Sequence, residues 1–189
     1  MLDNPVLHAL KQRNACGKLA EPGPDAGELN EIIQAALRAP DHAGLKPWRF
    51  LLISGAGRNA LGQLFVDATL KLQPQTTDDK QASIAAKPLR APLIIAVIAR
   101  VQAHPKVPGV EQILSAGCAA QNILLAAESF GYGAIWRTGE MAFNRDVMQG
   151  LGLASHEQLL GFIYIGTRAA APKTLPKLDP QDFSAHWPG

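Results

Sequence analysis

Apolar residues recur at helical spacing over 26–37, where Leu29, Ile32, Ile33, Ala36 and Leu37 share one face. Asp25 offers an N-cap, and Glu28 three residues on completes a capping box. Pro40 closes the segment, because proline disfavours a helical residue before it. A shorter helix is predicted over 5–12, with Asn4 as its cap and Pro5 in its first turn. The runs WRFLLIS (48–54) and PLIIAVIA (92–99) read as buried strands. Between them, Gly55-Ala-Gly57 turns into a helix over 58–72, followed by a polar connection at 73–79 and a short helix at 79–87. The longest predicted helix, 110–130, is apolar or small almost all round (Ile113, Ala116, Ala119, Ala120, Ile123, Leu124, Ala127). Such a helix is expected at the buried centre of the molecule, ending at Gly131. A third strand at 134–138, a short helix capped by Asn144 and reaching Gly150, and a fourth strand at 159–166 follow. The sum is an α+β domain spanning 1–189, with one mixed central sheet flanked by helices. Its tail, 168–189, is rich in proline and lacks periodicity, so it is expected to be mobile or docked on another surface such as a second subunit.

Composition narrows the function classes. The 189 residues carry 18 Lys+Arg against 16 Asp+Glu, a balance too even for a nucleic-acid or membrane-surface footprint. The longest uncharged apolar-leaning stretch, 112–127, contains Gln, Ser and Asn, which argues against a membrane span. The N-terminus lacks a basic region followed by a long apolar one, as a signal peptide requires, so a cytoplasmic protein is expected. Cys16 and Cys118 form no CxxC pair and fit a reducing compartment; both are expected to be buried. The five histidines show no HxxxH or HExxH spacing, so no protein-ligated metal is expected.

The candidate chemistry is dispersed. Gly55-Ala-Gly57-Arg-Asn-Ala60 has the outline of a dinucleotide-binding turn. The acidic residue such a site needs falls among Gln73-Pro-Gln-Thr-Thr-Asp78-Asp79, where no strand is expected, so this is an ordinary strand-to-helix turn. Arg13 and Lys18 flank a turn after the first helix, Arg38 and His42 close the second, and Trp136-Arg137-Thr138 end the third strand. Read singly, these are solvated charges, a cation at a helix C-terminus, a loop histidine and core tryptophans as readily as a ligand site.

Together with Lys18-Leu-Ala-Glu-Pro22, Arg38-Ala-Pro-Asp-His42, Pro47-Trp-Arg-Phe50, Arg90-Ala-Pro-Leu-Ile-Ile95, Lys106-Val-Pro108, Ser115-Ala-Gly-Cys118, Gly133 through Gly139, and Gly161-Phe-Ile-Tyr-Ile-Gly-Thr167, they occur in an order that resembles the nitroreductase family of flavin enzymes. The resemblance covers most of the chain up to Thr167. It implies the nitroreductase-like fold and FMN held without a covalent bond at the interface of a homodimer. Arg13, Asn14 and Ala15 match the first flavin segment, Arg38 and His42 the second, and Trp136, Arg137 and Thr138 the third. Ala126, Ala127, Glu128, Ser129, Phe130 and Gly131 match a stretch ascribed to the nicotinamide nucleotide, which places NAD(P)H as co-substrate. Asn14 and Ala15 stand where the family usually has Arg-Ser, and Lys46 stands where it usually has glutamine.

Guanidinium groups suit a phosphate, which makes Arg13 and Arg137 the expected phosphate contacts, with Arg38 next. Charge gained by reduced flavin would be met by Lys18 or by the backbone at 136–139. The implied activity is ping-pong reduction of nitro compounds or quinone-like acceptors, with no catalytic acid or base from the protein. Related chemistry within the family, such as flavin fragmentation or dehalogenation, and a flavin-binding dimer without catalysis, are the alternatives.

Overall fold

The computed structural model describes residues 4–188. Strand β3 (Leu93–Arg100) lies at its centre, and Leu93 through Ala99 are all buried, because helices cover both faces. It pairs on one side with β2 (Trp48–Ser54) and on the other with β5 (Glu157–Arg168). Strand β4 (Gly133–Arg137) adds to β5, and the two-residue β1 (Leu19–Ala20) pairs with the end of β5 at Thr167 and Arg168. The α+β class holds, and every pairing among the described residues is antiparallel, which narrows the mixed sheet expected from sequence.

The two-residue period of the strands sorts the core into two layers. Leu93, Ile95, Val97 and Ala99, with Ile163 and Ile165, pack on α2 (Ala26–Ala36) and α5 (Gly109–Ser129). Ile94, Ala96 and Ile98, with Phe162 and Tyr164, pack on α3 (Ala56–Leu72) and α4 (Asp78–Ala85). The short helices α6 (Gly139–Phe143) and α7 (Arg145–Gly150) contribute Ala142 and Val147 to this second layer. Helix α1 (Pro5–Gln12) sits at the surface with no buried residue. The predicted caps form: Asn4 Oδ1 accepts from Val6 and Leu7 N–H, and the Asp25–Glu28 box is reciprocal.

Helix α5 departs from expectation. Its inner face is fully buried at Ala116, Ala119, Ala120 and Ile123, yet Val110 and Leu114 are 61% and 63% exposed, and Cys118 is exposed rather than buried. One face of the helix is closed by α2 and the sheet while the other is open. The hydrophobic pattern does not announce β1 or α6, since two residues of extended chain and one helical turn carry no period. Residues 169–188 are extended and almost wholly exposed, with a 3-10 turn at Pro180–Asp182; Gly189 lies outside the described residues.

Two local constraints shape the functional face. The register between β3 and β5 shifts after Val97, so that Gly161 takes φ +138. A Cβ there would lie 2.5 Å from Trp136 Nε1 and 2.7 Å from the Arg137 carbonyl oxygen. The Trp136 indole N–H donates to the Leu160 carbonyl at 3.1 Å, which satisfies a group the bulge releases from the ladder. At the far end of the sheet, Arg49 Nε and Nη2 each donate to Glu157 at 2.7 Å, and Ala154 N–H donates to it at 3.0 Å. The Arg49 hydrogen bond outweighs burial and lowers the Glu157 carboxyl to about 2.

Gly161→Ala is expected to cost about 2–3 kcal/mol through overpacking and backbone strain, read as a drop in the urea midpoint at unchanged slope. Because the folded Glu157 releases its proton more readily than the unfolded carboxyl, its stabilisation is complete above pH 4.5 and fades as pH falls toward about 2. Glu157→Gln is expected to be less stable at neutral pH and to lose stability less steeply through that window, measured as urea midpoint against pH.

Candidate active site

Strand β4 ends where the chain turns out of the sheet at Thr138 and starts α6 at Gly139, which has φ +62. Arg137, Thr138, Gly139, Glu140 and Met141 form one wall of a cavity of about 360 Å³. Lys87 and Arg90, from the 3-10 turn Lys87–Arg90, line the same cavity. Phe65 of α3 and Phe162 and Tyr164 of β5 make an aromatic floor, with Phe65 and Phe162 edge-to-face at 5.5 Å. The turn reaches this place because α3 and α4 meet closely: a side chain at Gly62 would collide with the Ala85 backbone.

The first and third flavin segments implied by the resemblance come together in one protomer. Cys16 N–H donates to the Ala134 carbonyl at 2.9 Å, laying the 13–18 loop along β4. The Arg137 guanidinium rests against this loop, where a Cβ on Gly17 would be 3.4 Å from Nη2. Arg13 caps α1, and Asn14 Nδ2 donates to the Gln12 carbonyl at 3.2 Å while its Oδ1 is buried without a partner. Ala15 is half-buried and Lys18 exposed. The Trp136 ring N–H is committed to Leu160, so Trp136 has its backbone rather than its indole donor to offer.

The second segment lies elsewhere in the protomer. Arg38 lines an apolar groove of about 550 Å³ between α1, α2 and α5, beside Ala126 and Ser129 of the predicted nucleotide stretch. His42 is exposed, with Nδ1 2.8 Å from Glu111 Oε2 at the start of α5. Neither residue lines the cavity at Arg137. Within the nucleotide stretch, Ala127 is fully buried and Glu128 pairs with Arg168 at 3.0 Å. Ser129 Oγ donates to the Ala126 carbonyl at 2.8 Å, Phe130 is exposed, and Gly131 at φ +84 ends the helix. A ligand arriving there meets Ala126, Ser129 and Phe130, not Ala127.

Phe65, Lys87, Arg90, Glu140, Met141, Phe162 and Tyr164 were not among the site residues expected from sequence. Burial raises the Tyr164 hydroxyl above its ordinary range, and Arg137 and Arg90 pull in the opposite direction, which sets that hydroxyl near both guanidinium groups. Arg90 stood in a quoted landmark, but nothing local announced that its turn would face the end of β4.

A three-layer α/β/α domain with a cationic cavity at the β4 exit defines a family. The nitroreductase family model matches residues 10–167, and the chain belongs to that family, a family of oxidoreductases. It is 36% identical over 184 residues to the Escherichia coli (strain K12) protein named "Putative NAD(P)H nitroreductase YdjA", covering 96% of this chain and 99% of that one. Among solved structures, a nitroreductase-like family protein from Bacillus cereus superposes with a TM-score of 0.84 at 21% identity, covering 100% of this chain and 99% of that one. A Desulfovibrio desulfuricans protein described as a "putative nitroreductase in complex with fmn" superposes with a TM-score of 0.75 at 23% identity, covering 99% of each chain. At such identities these structures speak to the fold.

Trp136→Phe keeps a ring over Gly161 but strands the Leu160 carbonyl. It is expected to lose about 1–2 kcal/mol of stability in a urea titration.

Proposed function

We propose that this protein is an FMN-dependent NAD(P)H oxidoreductase of the cytoplasm that reduces nitro compounds or quinone-like acceptors in a ping-pong cycle. The single domain 1–189 would act as a homodimer. The observation that carries the reading is the meeting of Arg137 with the 13–18 loop at a cavity whose cationic side chains have no protein partner among the described residues. The lining fits a phosphorylated flavin: Lys87, Arg90 and Arg137 suit the phosphate, and the rings of Phe65 and Phe162 suit the ring system. The relative's name and the FMN complex of a structural neighbour support the same assignment.

Bound FMN would supply the redox chemistry, taking a hydride from NAD(P)H and passing electrons to the acceptor. The protein's part is to bind, orient and exclude water. Arg137 and Arg13 would hold phosphate, Thr138 and the backbone after it would meet the ring, and Lys18 would favour the charge gained on reduction. Arg38 and His42, remote from the cavity in one protomer, are assigned to the partner's flavin. The open face of α5, with Val110 and Leu114 exposed, supports a subunit contact, and the extended tail at 168–189 is assigned to the same partner. Residues 126–131 are assigned to NAD(P)H through Ala126, Ser129 and Phe130. No side chain is assigned as acid or base.

One observation favours a second reading. Asn14 turns its amide inward to Gln12, so the position where the family has a second arginine gives up a phosphate donor. A flavin-binding dimer with weakened or different chemistry follows from that loss.

Purified protein is expected to bind FMN and to bleach when NADPH is added without oxygen; bound flavin that stays yellow selects the second reading, and no flavin binding overturns both. Arg137→Ala is expected to weaken FMN binding about ten-fold or more, measured by quenching of flavin fluorescence.

A further inference from the structure

We infer that Lys87, Arg90 and Tyr164 form, with Arg137, a pocket that recognises a phosphate group of a ligand. The inference rests on the flavin reading for the ligand's identity, while the phosphate chemistry stands on the cavity itself. Three cations and one carboxylate, Glu140, line about 360 Å³. Arg49, Arg58, Arg100 and Arg168 are each paired with a carboxylate. The side chains of Lys87, Arg90 and Arg137 take no hydrogen bond or ion pair among the described residues, although Glu140 shares their cavity. The Tyr164 hydroxyl is likewise without a protein partner among the described residues, and the residue as a whole is only 5% exposed.

Each of these groups has its position fixed by something other than electrostatics. Tyr164 belongs to the strand alternation of β5, opposite Ile135 of β4. Lys87 and Arg90 flank the buried Pro88, which anchors their turn. Arg137 ends β4 opposite Phe162. Like charges lining one cavity oppose folding, and with three cations against the single carboxylate of Glu140, which pairs with none of them among the described residues, an anion would complete the set. Two planar guanidinium groups, an ammonium and a neutral hydroxyl donor form a donor set suited to a phosphate dianion. Burial holds the tyrosine in its neutral, donating form.

A phosphate here has two sources, the FMN phosphate and a phosphate of the nicotinamide nucleotide, and binding experiments on the full chain separate them. Lys87→Gln, Arg90→Gln and Tyr164→Phe would be titrated with FMN against riboflavin, with NADP+ against nicotinamide riboside, and with inorganic pyrophosphate. Melting temperatures monitor folding. Lys87 and Arg90 lie at the surface of a turn, so these two variants remain informative if Tyr164→Phe disturbs the core.

The expected result is a loss of about ten-fold or more for a phosphate-bearing ligand, with its phosphate-free counterpart changed less than about two-fold. Selective loss of FMN assigns the pocket to the flavin, and selective loss of NADP+ assigns it to the nucleotide. Pyrophosphate is expected to bind the wild type in a salt-sensitive manner and the Lys87 and Arg90 variants more weakly. Equal changes for both members of each pair, or none, in folded variants would overturn the inference. Pyrophosphate binding without FMN binding sinks the flavin reading and leaves the pocket. FMN binding and reduction with no phosphate selectivity in the variants sinks the pocket alone.

Discussion

The placement of the cavity depends on how β5 is held. This strand runs twelve residues, from Glu157 to Arg168, and pairs with β3, β4 and β1. The shift at Leu160–Gly161 changes its register part-way, and the indole of Trp136 crosses the bulge to bond the released carbonyl. Beyond that point Phe162 and Tyr164 face the α3 layer while Ile163 and Ile165 face the α5 layer. Without the bulge the alternation would be out of phase by one residue, and each of these side chains would change face. The aromatic floor of the cavity and the β4 arginine above it therefore share one backbone cause.

The same view explains why the site is assembled from distant segments. The 13–18 loop is tied to β4 through Cys16 and Ala134, and the Lys87–Arg90 turn is set by the close approach of α4 to Gly62. Neither contact involves the groups that would touch a ligand. Glycines and backbone hydrogen bonds do the placing, and the side chains of Arg137, Lys87 and Arg90 are unpaired among the described residues. The groove holding Arg38 is on the other layer of the same domain, apart from the cavity at Arg137.

Much of the architecture was legible before the structure. The helix over Ala26–Ala36 announced itself by spacing and by Asp25 and Glu28, and the uninterrupted apolar run of β3 signalled a strand covered on both faces. The order of landmarks from Lys18 to Thr167 gave the family. What stayed hidden was non-local. Strand β1 exists because the end of β5 is there to pair with it, and α6 is one turn stabilised by tertiary contacts. Lys87 and Tyr164 look like a turn cation and a core aromatic until the sheet order brings them together. The outward face of α5 misled for a related reason: the helix, with Cys118, read as core, and a helix that is apolar all round is closed on every side only when another surface covers it.

The three tryptophans occupy very different surroundings. Trp48 is packed in the α5 layer, Trp136 lies half-buried across the bulge, and Trp187 in the tail is 89% exposed. The intrinsic emission of the protein thus contains a red, readily quenched contribution from the tail and bluer, shielded ones from the sheet. An event at the β4 exit would be written in the shielded light from Trp136, whereas docking of the tail would shift only the light from Trp187, so a single spectrum keeps the two apart.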